Sequence, residues 1–137
     1  IGRDFGLRAM RVPYEPLGLV DPAGDGSWEH RLGRALLQPW VWWLRRRMHR
    51  AGVRTNEYVF GLSTTGAMTE ETLLRIVERL PAGVSEIYFH PAVAGGANPL
   101  PAPEHSHEAE LRALMSPRVR TALAAAGIQS ISFSELH

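Results

Sequence analysis

The chain predicts an α/β protein in which helices lie against a parallel sheet, and three observations carry that prediction. Short apolar runs alternate with segments of helical periodicity. The connections between most of them are short and broken by glycine and proline. One run, Ser85-Glu86-Ile87-Tyr88-Phe89-His90-Pro91-Ala92, is an apolar strand that ends on a histidine and is stopped there by proline. In α/β proteins the side chains at the carboxyl ends of parallel strands line the ligand crevice, which makes His90 a chemical candidate. A histidine at a strand end is also a common hydrogen-bonded structural residue, and the strand by itself leaves both readings open.

Leu7 to Val12, closed by Pro13 and Pro16, reads as the first strand. Leu17 to Gly26 is a loop. Ser27 is placed to cap a long helix from Trp28 to about Arg50, with Leu32, Leu36, Trp40, Trp43 and Leu44 near helical spacing. Pro39 should kink or split it, and Gly52 stops it. Tyr58 to Leu62 is the second strand, followed by a Ser63-Thr64-Thr65-Gly66 turn. Thr69 caps a helix from Glu70 to Leu80, whose first-turn carboxylates favour its positive end, and Pro81 and Gly83 end it. After the His90 strand, Ala92 to Pro103 forms a Gly-, Ala- and Pro-rich loop long enough to be functional. His107-Glu108 opens a third helix, Ser116-Pro117 a fourth that stops at Gly127, and Ile128 to Phe133 is the last strand. The resulting order, β, α, β, α, β, α, β, specifies one parallel sheet flanked by helices.

With 137 residues there is room for one domain. All fifteen basic residues are arginine and balance fourteen acidic ones. They form no basic stripe apart from Arg45, Arg46, Arg47 and Arg50, so a nucleic-acid partner is not expected. The absence of cysteine excludes disulfides and thiolate metal sites. No run is apolar enough to span a bilayer and no signal peptide opens the chain, so a cytoplasmic location is expected by default. The chain starts at Ile1-Gly2 without an initiator methionine, which suggests a piece of a longer protein.

Chemistry concentrates in a few places. In Arg11-Val12-Pro13-Tyr14-Glu15-Pro16 an arginine and a carboxylate bracket a proline at a strand end, so both can point into the crevice of His90. They could instead form a surface ion pair with each other. Glu104-His105-Ser106-His107-Glu108 invites a metal reading, but the two histidines lack the i, i+4 spacing that puts ligands on one helical face, and a solvated helix start accounts for them better. Trp40-Val41-Trp42-Trp43 followed by three arginines is expected to pack Trp40, Trp43 and Leu44 on the sheet with Trp42 outside; an interfacial helix is the other reading. Asp4-Phe5-Gly6 lacks the companions of a kinase-type metal motif.

These residues also carry a resemblance. Arg11 to Pro16, then Tyr58-Val59-Phe60-Gly61-Leu62 with Thr65-Gly66-Ala67-Met68-Thr69, then Leu80-Pro81-Ala82-Gly83 leading to the His90 strand, and His107-Glu108-Ala109-Glu110-Leu111 with Leu114-Met115-Ser116-Pro117 resemble the C-terminal half of the YdjC-like carbohydrate deacetylases. Within that family they most resemble the hopanoid-biosynthesis-associated branch called HpnK. The match keeps order and spacing through nearly the whole chain.

The resemblance implies the C-terminal half of a deformed (β/α) barrel, residues 1–137 being one portion of a single deacetylase domain whose N-terminal metal-binding half is absent. It implies a hydrolase that removes an acetyl group from an N-acetylated sugar with a divalent metal, Mg or Zn, whose ligands have no counterpart in this chain. Arg3-Asp4-Phe5-Gly6 does not replace the family's N-terminal Asp-Asp-Phe-Gly motif, because it precedes the arginine strand. Carried over, His90 becomes the general acid that protonates the leaving amine, and Arg11 orients a catalytic carboxylate from outside the chain. Glu15, with Tyr14, lines the sugar pocket. The hopanoid link would also bring the Trp-rich helix to a membrane surface, and the open edges of a half-barrel would favour a homo-oligomer. The alternative is a non-catalytic α/β module in which Arg11, Glu15 and His90 merely contact a sugar or an anion.

Overall fold

A computed structural model describes residues 3–16, 28–62, 64, 66–93 and 106–136. Among the described residues, four α-helices and four short strands follow in the order β1 (Ala9–Met10), α1 (Trp28–Arg50), β2 (Arg54–Thr55), β3 (Tyr58–Phe60), α2 (Glu70–Arg79), β4 (Ser85–Ile87), α3 (His107–Met115) and α4 (Pro117–Ala125). The architecture is mixed α/β, and both strand pairs are parallel.

Helix boundaries follow local chemistry. Thr69 caps α2 by accepting from the Thr72 N–H at 3.3 Å. Ser116 does the same for α4, accepting from the N–H groups of Arg118 and Val119, with Pro117 occupying the first turn. α1 runs through Pro39 as one helix, so the expected split does not occur. Proline removes only its own N–H bond, and the turns on either side hold the helix together. Ser27, the loop at 17–26 and most of the loop at 92–103 lie outside the described residues.

The strands form two two-stranded sheets, β1 with β2 and β3 with β4, where one continuous sheet was expected. The reason lies at Asn56. Residues 54–60 run between two parallel neighbours: the Arg54 and Val59 N–H groups donate to the Arg8 and Tyr14 carbonyls, both at 2.8 Å, while the Tyr88 N–H donates to the Phe60 carbonyl at 2.8 Å on the other side. At the break, the fully buried Asn56 side chain replaces the backbone ladder. Its Oδ1 accepts from the Val12 N–H at 2.7 Å, and its Nδ2 donates to the carbonyls of Val12 (3.0 Å) and Tyr58 (2.9 Å).

The main core fills the space between β3–β4 and helices α2, α3 and α4. Phe60, Met68, Leu73, Ile76, Val77, Ala113 and Val119 are buried there, with Tyr58, Ile87, Phe89 and Ile128 packed against them. The expected last strand at 128–133 is absent. Residues 133–135 form a single 3-10 turn in which Glu135 accepts from the Ser132 N–H and hydroxyl, both at 2.7 Å, so local side-chain bonds take the place of a ladder. α1 is rotated relative to expectation: Val41 is buried, whereas Trp40 and Trp43 are as exposed as Trp42. Arg45 fixes that rotation, bonding the Glu57 carbonyl and lying 5.5 Å over the Tyr14 ring.

Candidate functional site

Register decides which side chains meet. Val59 pairs with Glu86 and Phe60 with Ile87, and Phe60, Ile87 and Phe89 all point into the helix-covered core. Alternation then turns Glu86, Tyr88 and His90 to the opposite face. Arg11, just past the end of β1, reaches across the central line to that same face. Its Nε donates to Glu86 Oε2 at 2.8 Å, and a second guanidinium N–H donates to Oε1, giving a two-point ion pair. The Glu86 hydrogen bond raises the Arg11 pKa further above its already high value, so the guanidinium is charged at any working pH. It also stands 5.1 Å from the centre of the Tyr88 ring. Tyr88 in turn meets the His90 ring edge-on, with centroids 4.6 Å apart. Arg11, Tyr88 and His90 therefore form one continuous row.

The backbone of His90 is held from both sides by α3. Its N–H donates to Glu110 Oε2 at 2.5 Å, and its carbonyl accepts from His107 Nδ1, also at 2.5 Å. A carbonyl can only accept, which fixes the His107 tautomer with its proton on Nδ1. Glu110 is buried, and its second oxygen accepts from the Met68 N–H at 3.5 Å. One carboxylate thus links the strand end, the 61–68 segment and α3. The solvated helix start expected for this region describes Glu108, which is exposed and pairs with Arg112 at 3.3 Å, but not His107. Glu104 and His105 lie outside the described residues.

Glu15 is buried and accepts from the Gly61 N–H at 2.9 Å, so Arg11 takes Glu86 as its partner and the Arg11–Glu15 surface pair does not describe this segment. Gly61 has φ +99°, and a Cβ there would stand 2.5 Å from the Tyr88 carbonyl, so only glycine fits beneath the row. Tyr14 is not brought to His90. Its ring lies 6.0 Å from that of Tyr58, a residue packed on the core side.

Sequence reasoning did not assign roles to Glu86, Tyr88, Asn56, His107 or Glu110. For Glu110 a signal existed, since it stands three residues before Ala113 on the inward face of a short helix, where a carboxylate needs a reason. For Asn56 none did.

The described residues do not form a metal centre. Among the described residues no three histidine or acidic side chains gather closely enough to hold an ion, the Nδ1 of His107 is committed to a carbonyl, and both oxygens of Glu110 accept from backbone N–H groups. Nor is any described helix long and apolar enough to cross a membrane.

A family model described as YdjC-like protein matches residues 1–125. No curated protein and no solved structure matches the chain.

Proposed function

Because this chain belongs to the YdjC-like family, which is associated with carbohydrate deacetylase-like function, we propose that it forms the proton-donating side of an enzyme that removes an acetyl group from an N-acetylated sugar. The observation that supports this reading is the row of Arg11, Tyr88 and His90 on the face of the strands opposite the core that α2, α3 and α4 cover. In amide hydrolysis water adds to the carbonyl carbon, the C–N bond breaks and the departing nitrogen takes a proton, leaving acetate and a free amino sugar. His90 supplies that proton. Its backbone, clamped at both ends by α3, gives the imidazole a fixed origin from which to meet the leaving nitrogen.

Arg11 serves as a fixed positive charge beside it. Two of its five N–H donors are spent on Glu86, and the rest are available to orient a carboxylate supplied from outside this chain. Glu15 acts one step back, through the Gly61 backbone, and Tyr14, set against Tyr58, takes no part in the row. The divalent metal that the family resemblance implies, Mg or Zn, belongs to residues outside this chain, and the hopanoid-linked amino sugar of the HpnK branch is the proposed substrate.

The test is His90→Ala in the enzyme joined to the segment that carries the metal ligands. Turnover on an N-acetylated sugar should fall by a factor of about 10² to 10⁴, the usual contribution of a general acid, with bound metal retained. Turnover equal to the parent's would overturn the assignment and favour a module that only binds sugar or anion.

A further inference from the structure

We infer that α1 is a membrane-contact helix, and that its outward face docks on an anionic lipid surface. A helix turns about 100° per residue, so with Val41 buried against the rest of the chain, Leu32, Leu36, Trp43, Arg46 and Arg50 fall on the side turned away from it. That side is apolar where most helices are polar: Leu32 is 50 % exposed, Leu36 71 % and Trp43 49 %, with Trp42, 59 % exposed, on its flank. Four of the arginines, Arg45, Arg46, Arg47 and Arg50, lie in the last six residues of the helix, and Arg31 and Arg34 near its start.

The charge on this helix selects the occupant. By sequence, Trp28–Arg50 carries six arginines and one acidic residue, Glu29, so the helix is strongly basic. Arg46 lies 4.5 Å over the Trp42 ring and Arg47 5.2 Å over the Trp43 ring, and with Arg50 they line a depression of about 520 Å³. Indole rings under guanidinium groups suit the headgroup layer, where the ring sits at the apolar boundary and the cation meets phosphate. A second copy of the chain fits less well. Parallel pairing of two α1 helices would set arginine against arginine, and antiparallel pairing would lay arginines on Leu32 and Leu36. The inference is independent of His90 and Arg11, which lie on other elements.

The molecule provides its own probe, because all four tryptophans, Trp28, Trp40, Trp42 and Trp43, lie in α1. The intact 137-residue chain should co-sediment with phosphatidylcholine vesicles containing phosphatidylglycerol, with a blue shift of tryptophan emission, and much less with phosphatidylcholine alone. Raising salt should release it. Arg46→Gln with Arg47→Gln should weaken partitioning about thirtyfold, at about a factor of five for each basic residue near an anionic surface, with an unchanged far-ultraviolet circular dichroism spectrum. Trp42→Ala with Trp43→Ala should weaken it independently. Equal partitioning to neutral and anionic vesicles, full binding by both double variants, or a blue shift that tracks protein concentration without lipid would each overturn the inference, the last in favour of self-association.

Discussion

Helix α2 turns its apolar residues inward, with Ala113 of α3 and Val119 of α4 buried in the same core, whereas α1 turns Trp40, Trp42 and Trp43 outward, and the contrast follows from what each helix has to pack against. α2 meets a strand pair that presents Phe60, Ile87 and Phe89, and its Leu73, Ile76 and Val77 fall at the spacing that covers them. α1 is 23 residues long but meets β2, a strand of two residues, so its fully buried apolar contribution reduces to Val41 while Leu32, Leu36, Leu37, Trp40, Trp42 and Trp43 stay exposed. One side of the molecule is organised by burial. The other keeps apolar surface for something else.

The sharpest way to break this contrast is to truncate one aromatic residue on each side. Phe60→Ala should cost about 3–5 kcal/mol, since it removes a fully buried ring from the main core. Trp43→Ala should stay within about 0.5 kcal/mol, as expected for a surface position. Denaturant unfolding followed by circular dichroism measures both. Comparable losses would mean that the outer face of α1 is packed, and the distinction between the two sides would fail.

The same contrast explains what could be read from the sequence. Capping and termination were legible because they are local: Thr69, Ser116-Pro117 and Gly127 act within one turn of the backbone they control. So was the parallel α/β character, whereas the meeting of Arg11 with the His90 strand depends on register between distant strands, which alternation within one strand does not set. The rotation of α1 was not legible. Trp40, Trp43 and Leu44 have helical spacing whichever way they face, and the choice rests on Arg45 reaching the Glu57 carbonyl and the Tyr14 ring, contacts between distant segments. The interruption of the sheet escaped for a similar reason, since an asparagine side chain that imitates a ladder has no periodic signature. Neither did Arg11 announce Glu86 as its partner, because the two are 75 residues apart.

A smaller test separates two carboxylates on one helix. Glu110→Ala leaves the half-buried His90 N–H and the buried Met68 N–H without their acceptor and should cost about 1–3 kcal/mol. Glu108→Ala removes only an exposed i, i+4 pair with Arg112, worth about 0.2–0.5 kcal/mol. Amide hydrogen exchange gives the residue-level reading: exchange at His90 should accelerate in the first variant and not in the second. Equal acceleration in both would show that α3 holds the strand end as a packed body and not through the Glu110 carboxylate.

The smallest expected effect lies at the C-terminal turn, which rests against β1 on the thinner side of the molecule. Glu135 is exposed, and its carboxyl is held below the ordinary value of 4.5, chiefly by the Ser132 backbone N–H and secondarily by the Ser132 hydroxyl. A depressed carboxylate pKa contributes stability above its unfolded value and loses it as pH falls through its folded value. The turn should therefore be fully formed at neutral pH and loosen only below 4.5. Carbon-detected NMR titration should place the Glu135 midpoint below 4.5, and Ser132→Ala should raise it only part of the way, because the backbone N–H remains. Global unfolding should not shift between the two proteins, since the bonds are solvent-exposed and join no core element. A midpoint at or above 4.5 in the parent would mean that the turn is not closed by these bonds. The segment from Ile128 onward would then be free to take the extended form that its alternating serine and apolar pattern predicts.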